Sequence, residues 1–235
     1  MAMNLYVGTS GYSYKEWRGS FYPERLSPKE MLSYYAERFK AVELNNTFYR
    51  LPQPEMVESW KAQVPGDFRF TMKASQGITH FRRLKDATGA TRLMLEKVAA
   101  FEDRLGAVLF RMPEDFKKDL ARLETFLKAL PADTPTVFEF RHESWFEDEV
   151  LGLLRSHKRV LCVSDRDEMP MDHIDKTADW GYVRLRRVKY SDADLKGWIK
   201  RIKAQKWKDT YVFFKHEDEA TGPKLAARFV KLATD

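Results

Sequence analysis

The sequence predicts an α/β protein: a single TIM-like (β/α) barrel, parallel and eight-stranded, with residues 1–235 forming one domain. Three observations carry this. Strand-like and helix-like segments alternate from one end of the chain to the other, which implies a parallel sheet. The strand-like segments number eight. The length, 235 residues, falls in the range of about 200–250 that such barrels use as one unit. No Gly/Ser/Pro linker, low-complexity stretch or short repeat divides the chain. A doubly wound open sheet is the rival. Its first strand would need a G-x-G-x-x-G phosphate loop, and only Gly8 and Gly11 stand there.

The elements follow in order. LYVGTS (5–10) is strand-like. Ser27-Pro28-Lys29-Glu30 then supplies an N-cap, a proline at the first helical position and a glutamate to close a capping box. Met31, Tyr34, Tyr35 and Phe39 continue at helical spacing. AVELN (41–45) is the second strand and PEMVESWKAQV (54–64) the next helix. FRFTMKA (68–74), a helix around 90–103, GAVLFRM (106–112) and a helix over 117–130 extend the pattern. TVFEFR (136–141), a helix at 147–157 and RVLCVSD (159–165) come next. No full helix is discernible over 166–180, where one helix is missing or replaced by loop. GYVRLRR (181–187), a helix at 192–205, TYVFFK (210–215) and a last helix from 223 complete the series.

Side-chain parity locates a candidate site. Neighbouring strand residues face opposite sides, and in a barrel the outer face meets helices. Val42 and Leu44 suit the helix layer, which turns Glu43 and Asn45 inward. Phe68, Phe70 and Met72 go outward, leaving Thr71 and Lys73 inside. Phe138 and Phe140 leave Glu139 and Arg141 inside, and Val183 and Leu185 leave Tyr182, Arg184 and Arg186. Arg111 shares the side of Leu109, and the sixth and eighth strands add Asp165 and either Lys215 or His216. Cations outnumber carboxylates in this set. Isolated charges there cost several kcal/mol each, so they pair, hydrate or meet a ligand.

The loops supply further groups. GYSYKEWRGSFYP (11–23) is long and holds five aromatics, among them Tyr12 and Trp17, and suits a stacking surface or lid over the mouth. NNTFYRLP (45–52) offers Asn45 and Tyr49 for ligand hydrogen bonds, and KASQGITHFRRL (73–84) offers His80 as a titrating group. In the turn after Arg141, His142 and Ser144 read as turn and capping groups rather than a nucleophile pair. Trp145 is read as an aromatic wall or as packing beneath the loop. Residues 180–208 hold ten Lys/Arg against two Asp, interleaved with aromatics. Leu195, Trp198, Ile199 and Ile202 form one apolar stripe on that helix, so its lysines read as a solvated face and nucleic acid is not favoured.

Composition sets the bounds. The net charge of +6 comes from 41 basic and 35 acidic residues, and the pI is near 9.2, which suits an anionic ligand of any kind. The start of the chain lacks a basic region followed by a long apolar run, and no apolar run approaches the ~18 residues of a membrane span. The sole cysteine, Cys162, excludes an internal disulfide framework and a Cys-cluster metal site, and in RVLCVSD it reads as a buried small hydrophobe. A soluble cytoplasmic protein without membrane contact is expected.

Taken together, VGTSGYSYKEWRGSFYP, VELNNTFYRLP, FRFTMKAS…TH…RL, LGAVLFRMP, FEFRHESW and YVRLR resemble the YecE-like family, a bacterial domain of unknown function, number 72 in its series. The resemblance runs in order over nearly the whole chain. It implies a TIM-like barrel and no particular reaction. Carried over residue by residue, the family's recurrent motifs fall on Gly8, Ser10, Tyr12, Trp17, Glu43, Asn45, Thr47, Tyr49, Lys73, His80, Glu139, Arg141, Trp145, Asp165 and Arg184. Three strand ends depart from the pattern. Arg111 stands where glutamine is usual, Arg186-Arg187 replaces a His-Gly, and Lys215-His216 replaces an Asn pair.

The expected function is an enzyme acting by acid–base chemistry on a small anionic substrate, such as a sugar phosphate or phosphate ester, with hydrolase, isomerase and lyase chemistry undistinguished. Glu139, His80, Asp165 and Glu43 are the expected catalytic groups. Arg141, Arg184, Lys73, Asn45, Tyr12, Trp17, Tyr49, Trp145, Arg111 and Arg186 are the expected substrate contacts. No cofactor is expected. A divalent metal on carboxylate and imidazole groups is the less favoured case, since neither H-x-H nor H-E-x-x-H occurs. The alternative function is a non-catalytic or nucleic-acid-associated binding protein using the aromatic loops and the basic 180–208 stretch.

Overall fold

A computed structural model describes residues 3–215 and 218–234. Among them, nine strands form one sheet: β1 (Asn4–Ser10), β2 (Ala41–Leu44), β3 (Arg69–Lys73), β4 (Leu105–Arg111), β5 (Thr136–Glu139), β6 (Val160–Leu161), β7 (Val163–Asp165), β8 (Gly181–Leu185) and β9 (Asp209–Phe214). The order is β6-β5-β4-β3-β2-β1-β9-β8-β7, and every pairing is parallel. The two terminal strands are consecutive pieces of the RVLCVSD run, parted at Cys162. β6 pairs with β5 and β7 with β8, so the sheet curls round into a barrel. The ninth strand is therefore the sixth expected one in two parts.

Seven α-helices stand around this sheet in the described residues: α1 (Met31–Ala36), α2 (Pro54–Ala62), α3 (Thr88–Val98), α4 (Leu120–Lys128), α5 (Asp148–Ser156), α6 (Asp192–Ala204) and α7 (Thr221–Thr234). α1 begins later than the Ser27 signal suggests. The capping contacts form all the same, with Glu30 accepting from the Ser27 N–H and Ser27 Oγ from the Lys29 N–H, but they close a turn ahead of the helix. α6 opens on a complete capping box between Ser191 and Asp194. No helix lies between β7 and β8. That segment is tied down by bonds from Arg155 Nε to the Lys176 carbonyl and from the Leu161 N–H to Thr177 Oγ1.

The barrel separates two apolar layers, as strand alternation demands. Inside lie Ala41, Ala107, Leu109, Val137, Val160, Cys162, Tyr182, Tyr211 and Phe213. Outside, under the helices, lie Val42, Leu44, Phe70, Phe110, Phe138, Val183 and Leu185. Cys162 is buried in the inner layer, where burial pushes its thiol pKa up and keeps it protonated. Gly8 marks the tightest join between layers. A Cβ there would sit 1.9 Å from the Ala41 carbonyl oxygen and 2.8 Å from the Tyr35 hydroxyl. That hydroxyl accepts from the Thr9 N–H and donates to the Ala41 carbonyl, locking β1, β2 and α1 together.

Candidate functional site

The strand register brings the inward charges to the C-terminal mouth of the barrel. Ser10 stands beside Glu43, Glu43 beside Thr71, Arg111 beside Glu139 and Ser164 beside Arg184. Across the barrel, Arg184 grips both carboxylates: Nη2 lies 2.7 Å from Glu43 Oε1, and Nη1 donates to Glu139 Oε2. Glu43 and Glu139 have no solvent exposure and Arg184 retains 2%. Tyr182 donates to Glu43 Oε2 at 2.7 Å, so the Thr71 hydroxyl, 3.0 Å away, donates to Tyr182. Ser164 donates to Glu139 Oε1 at 3.1 Å. Such a network is stable only because each carboxylate is both paired and hydrogen-bonded.

Two more guanidiniums face Glu139, with Arg111 Nε at 4.0 Å and Arg186 Nη1 at 3.9 Å. Burial alone would raise the Glu139 pKa. Arg184, Arg186 and Arg111 outweigh it and hold the carboxyl at about 2. Glu43 is lowered in the same way, with burial opposed chiefly by Arg184. Both carboxylates stay ionised at neutral pH.

Lys73 ends β3 with its ammonium 3.7 Å from the centre of the Phe48 ring. Burial, then the charges of Arg111 and Arg184, lower its pKa to about 8. His80 packs edge-on against the same ring, 4.9 Å between centroids. Its Nδ1 is 2.9 Å from Thr79 Oγ1, and that hydroxyl donates to the Ser75 carbonyl. The hydroxyl therefore accepts from Nδ1–H, which leaves Nε2 as the lone-pair nitrogen. Burial and the charges of Arg111, Lys73 and Arg83 lower the His80 pKa, so the ring is neutral at physiological pH.

The structure thus brings Glu43, Glu139, Arg184, Arg111, Arg186, Lys73 and His80 to one mouth, and it places other expected residues elsewhere. Asp165 faces outward: its carboxylate accepts from Met171 N–H, Arg187 Nε, Tyr190 OH and Trp198 Nε1. Its neighbour Ser164 takes the inward position. Trp145 packs beneath the loop, stacked on Phe140 at 4.3 Å and donating from Nε1 to the Phe116 carbonyl. Trp17 is buried among Tyr14, Phe21 and Tyr22, so the first loop packs on itself. Arg141 leaves the network to pair with Glu114, which Arg166 also approaches at 3.6 Å. Tyr12 and Asn45 stay at the same end of the barrel, just past the C-terminal ends of β1 and β2, where they line a cavity of about 230 Å³ with Gly11 and Tyr14, and Tyr49 is 75% exposed. His142 and Ser144 form the turn, with Ser144 N–H donating to His142 Nδ1. Lys215 follows β9, and His216 lies outside the described residues.

Several contributors escape sequence reasoning. Phe48 has no signal beyond being a loop aromatic, and Glu114 none beyond its charge. Tyr182 is placed inward by parity, and the structure adds its bond to Glu43. Among the described residues, no group of three or more His, Cys, Asp or Glu is placed to hold a metal ion, and no helix is long and apolar enough to cross a membrane. In the basic stretch, Tyr182, Tyr190, Trp198 and Trp207 are all buried.

Comparison with known proteins places this geometry in a family. The chain is 23% identical over 227 residues to the UPF0759 protein YunF of Bacillus subtilis, covering 92% of this chain and 79% of that protein. It is 32% identical over 143 residues to the UPF0759 protein YecE of Escherichia coli K12, a match of 60% of this chain that spans half the length of YecE. The crystal structure of a DUF72 family protein from Thermotoga maritima superposes with a TM-score of 0.84 at 28% identity, covering 99% of this chain and 100% of that one. The family model described as "Protein of unknown function DUF72" matches residues 6–235, and the chain belongs to that family.

Proposed function

We propose that the chain is an enzyme that binds a small anionic substrate, of the sugar phosphate or phosphate ester class, at the C-terminal mouth of the barrel. One observation carries the reading. Arg184 consumes both buried carboxylates, yet Lys73 and Arg111 stand beside them, and the buried Arg111 Nε has no hydrogen-bond partner among the described residues. A buried donor without a partner is costly, and an anion at the mouth would satisfy it. Arg186 adds a further guanidinium on the same side.

Roles follow from the electrostatics. Arg111 and Lys73 face the anion, while Arg184 positions Glu43 and Glu139 rather than binding substrate itself. Glu139, held at about 2, supplies fixed negative charge and not a proton. Acid–base work falls to His80 through Nε2 and to Lys73. Glycoside hydrolysis by Glu43 and Glu139 is disfavoured, because it requires one carboxyl to be protonated and both are held ionised. A nucleic-acid-binding role loses most of its stacking surface with Tyr182, Tyr190, Trp198 and Trp207 buried and Trp180 partly so. The one thiol, buried and free, suits a reducing compartment such as the cytoplasm.

A thermal-shift screen of sugar phosphates, nucleotides and oligonucleotides tests this reading. Small anions should raise the melting temperature of the wild type, and Arg111→Met should abolish the rise. A rise with oligonucleotides alone would favour the binding-protein alternative.

A further inference from the structure

We infer that Lys73 is a nucleophilic amine that forms a Schiff base with the carbonyl carbon of a small anion held at the mouth, which narrows the substrate to a carbonyl-bearing carboxylate or phosphate. This rests on the anion-site reading above.

Lys73 is only part-buried, so its amine keeps some access to water, but it lacks the carboxylate partner that commonly holds a lysine in such a setting. Here two carboxylates share its mouth, and Arg184 takes both. Among the described residues the ammonium has no hydrogen bond or ion pair. Its one close partner is the face of Phe48. The charged groups that act on it come from each neighbouring element: Arg111 on β4 and Arg184 on β8 disfavour the ammonium, while Glu43 on β2 and Glu139 on β5 favour it. Burial decides the balance, and the pKa of about 8 leaves a usable fraction of free amine near neutrality. A lysine partly desolvated against an apolar ring beside other cations is the arrangement that activates Schiff-base amines.

The chemistry closes without another reactant. The Nζ lone pair attacks the carbonyl carbon and the π pair moves onto oxygen. Both amine protons leave with that oxygen as water, and a C=N bond remains. Once protonated, the imine accepts the electron pair released when an adjacent C–H bond breaks. His80 Nε2 is the lone-pair nitrogen beside the same Phe48 ring and takes the proton. Carbonyl isomerisation and aldol-type cleavage are the reaction classes this serves. Arg111 holds the anionic end.

Borohydride trapping tests it on the full chain. The protein is incubated separately with pyruvate, dihydroxyacetone phosphate and neutral acetone, then reduced, and adducts are located by peptide mass mapping. The expected result is a reduced adduct at Lys73 with at least one charged probe and none with acetone. Lys73→Met should lose it. Lys73→Arg should also lose it while still binding inorganic phosphate in a calorimetric titration. Adduct with pyruvate alone assigns a keto acid, and with dihydroxyacetone phosphate alone a ketose phosphate. Absent adducts, or adducts spread over surface lysines equally in wild type and Lys73→Met, overturn the inference. If phosphate still binds in that case, the anion site stands and only the amine role falls. If neither binding nor adduct is seen, both fall.

Discussion

Arg184 and Glu43 face each other at 2.7 Å across the interior of the barrel, on β8 and β2, with almost no contact with water. The same guanidinium reaches Glu139 on β5, so one side chain ties three parts of the barrel wall. This pairing fixes the carboxylates as permanent charges and turns the remaining cations toward whatever enters.

Removing the arginine should be severe. Arg184→Met leaves buried Glu43 without its contacting cation and Glu139 with only the longer pairs to Arg111 at 4.0 Å and Arg186 at 3.9 Å, and breaking such a buried pair costs about 3–5 kcal/mol. Urea unfolding should show a midpoint shift of that size. Loss of Tyr182 OH in Tyr182→Phe removes one bond to Glu43 and should cost less, about 1–3 kcal/mol.

Stability should depend on acid in a defined window. Three guanidiniums hold the Glu139 carboxyl at about 2 in the folded protein, against the ordinary glutamate value of 4.5 when unfolded. Its folded pKa is depressed, so its contribution is full above about 4.5 and is lost as pH falls toward 2. Thermal unfolding followed from pH 6 to pH 2 should show this loss, and Glu139→Gln should flatten the profile within that interval.

Trp145 and Asp165 should behave as structural residues. Trp145→Phe keeps much of the stack on Phe140 but leaves the Phe116 carbonyl unpaired, at a cost of about 1–3 kcal/mol. Asp165→Asn disturbs a carboxylate that accepts from four donors and should destabilise by a similar amount, about 1–3 kcal/mol. Calorimetry should find phosphate affinity unchanged in both, and a large loss would return them to the site.

How much of this is legible in the sequence varies with the strand. In AVELN, TVFEFR and GYVRLRR, apolar and charged residues alternate, so parity alone turns Glu43, Glu139 and Arg184 to one side. RVLCVSD is apolar on both faces and carries no such signal. The structure puts Cys162 and Ser164 inside and Asp165 out. Arg141 keeps inward parity on paper, but β5 ends at Glu139, and beyond the strand the loop acid Glu114 draws it away. Trp145 and Trp17 are large rings on loops, and whether a loop ring packs or stays open depends on contacts distant in sequence, here Phe116 and Phe140 for Trp145. The depressed pKa of Lys73 likewise needs burial together with Arg111 and Arg184, brought to β3 from β4 and β8.

The most direct test of the anion site is a calorimetric titration of inorganic phosphate into the wild type and into Arg111→Met at neutral pH. A charge-assisted hydrogen bond contributes about 1.5–3 kcal/mol, so the substitution should weaken binding by about tenfold to a hundredfold. No detectable binding to the wild type, or the same affinity in both proteins, would contradict an anion site at the barrel mouth.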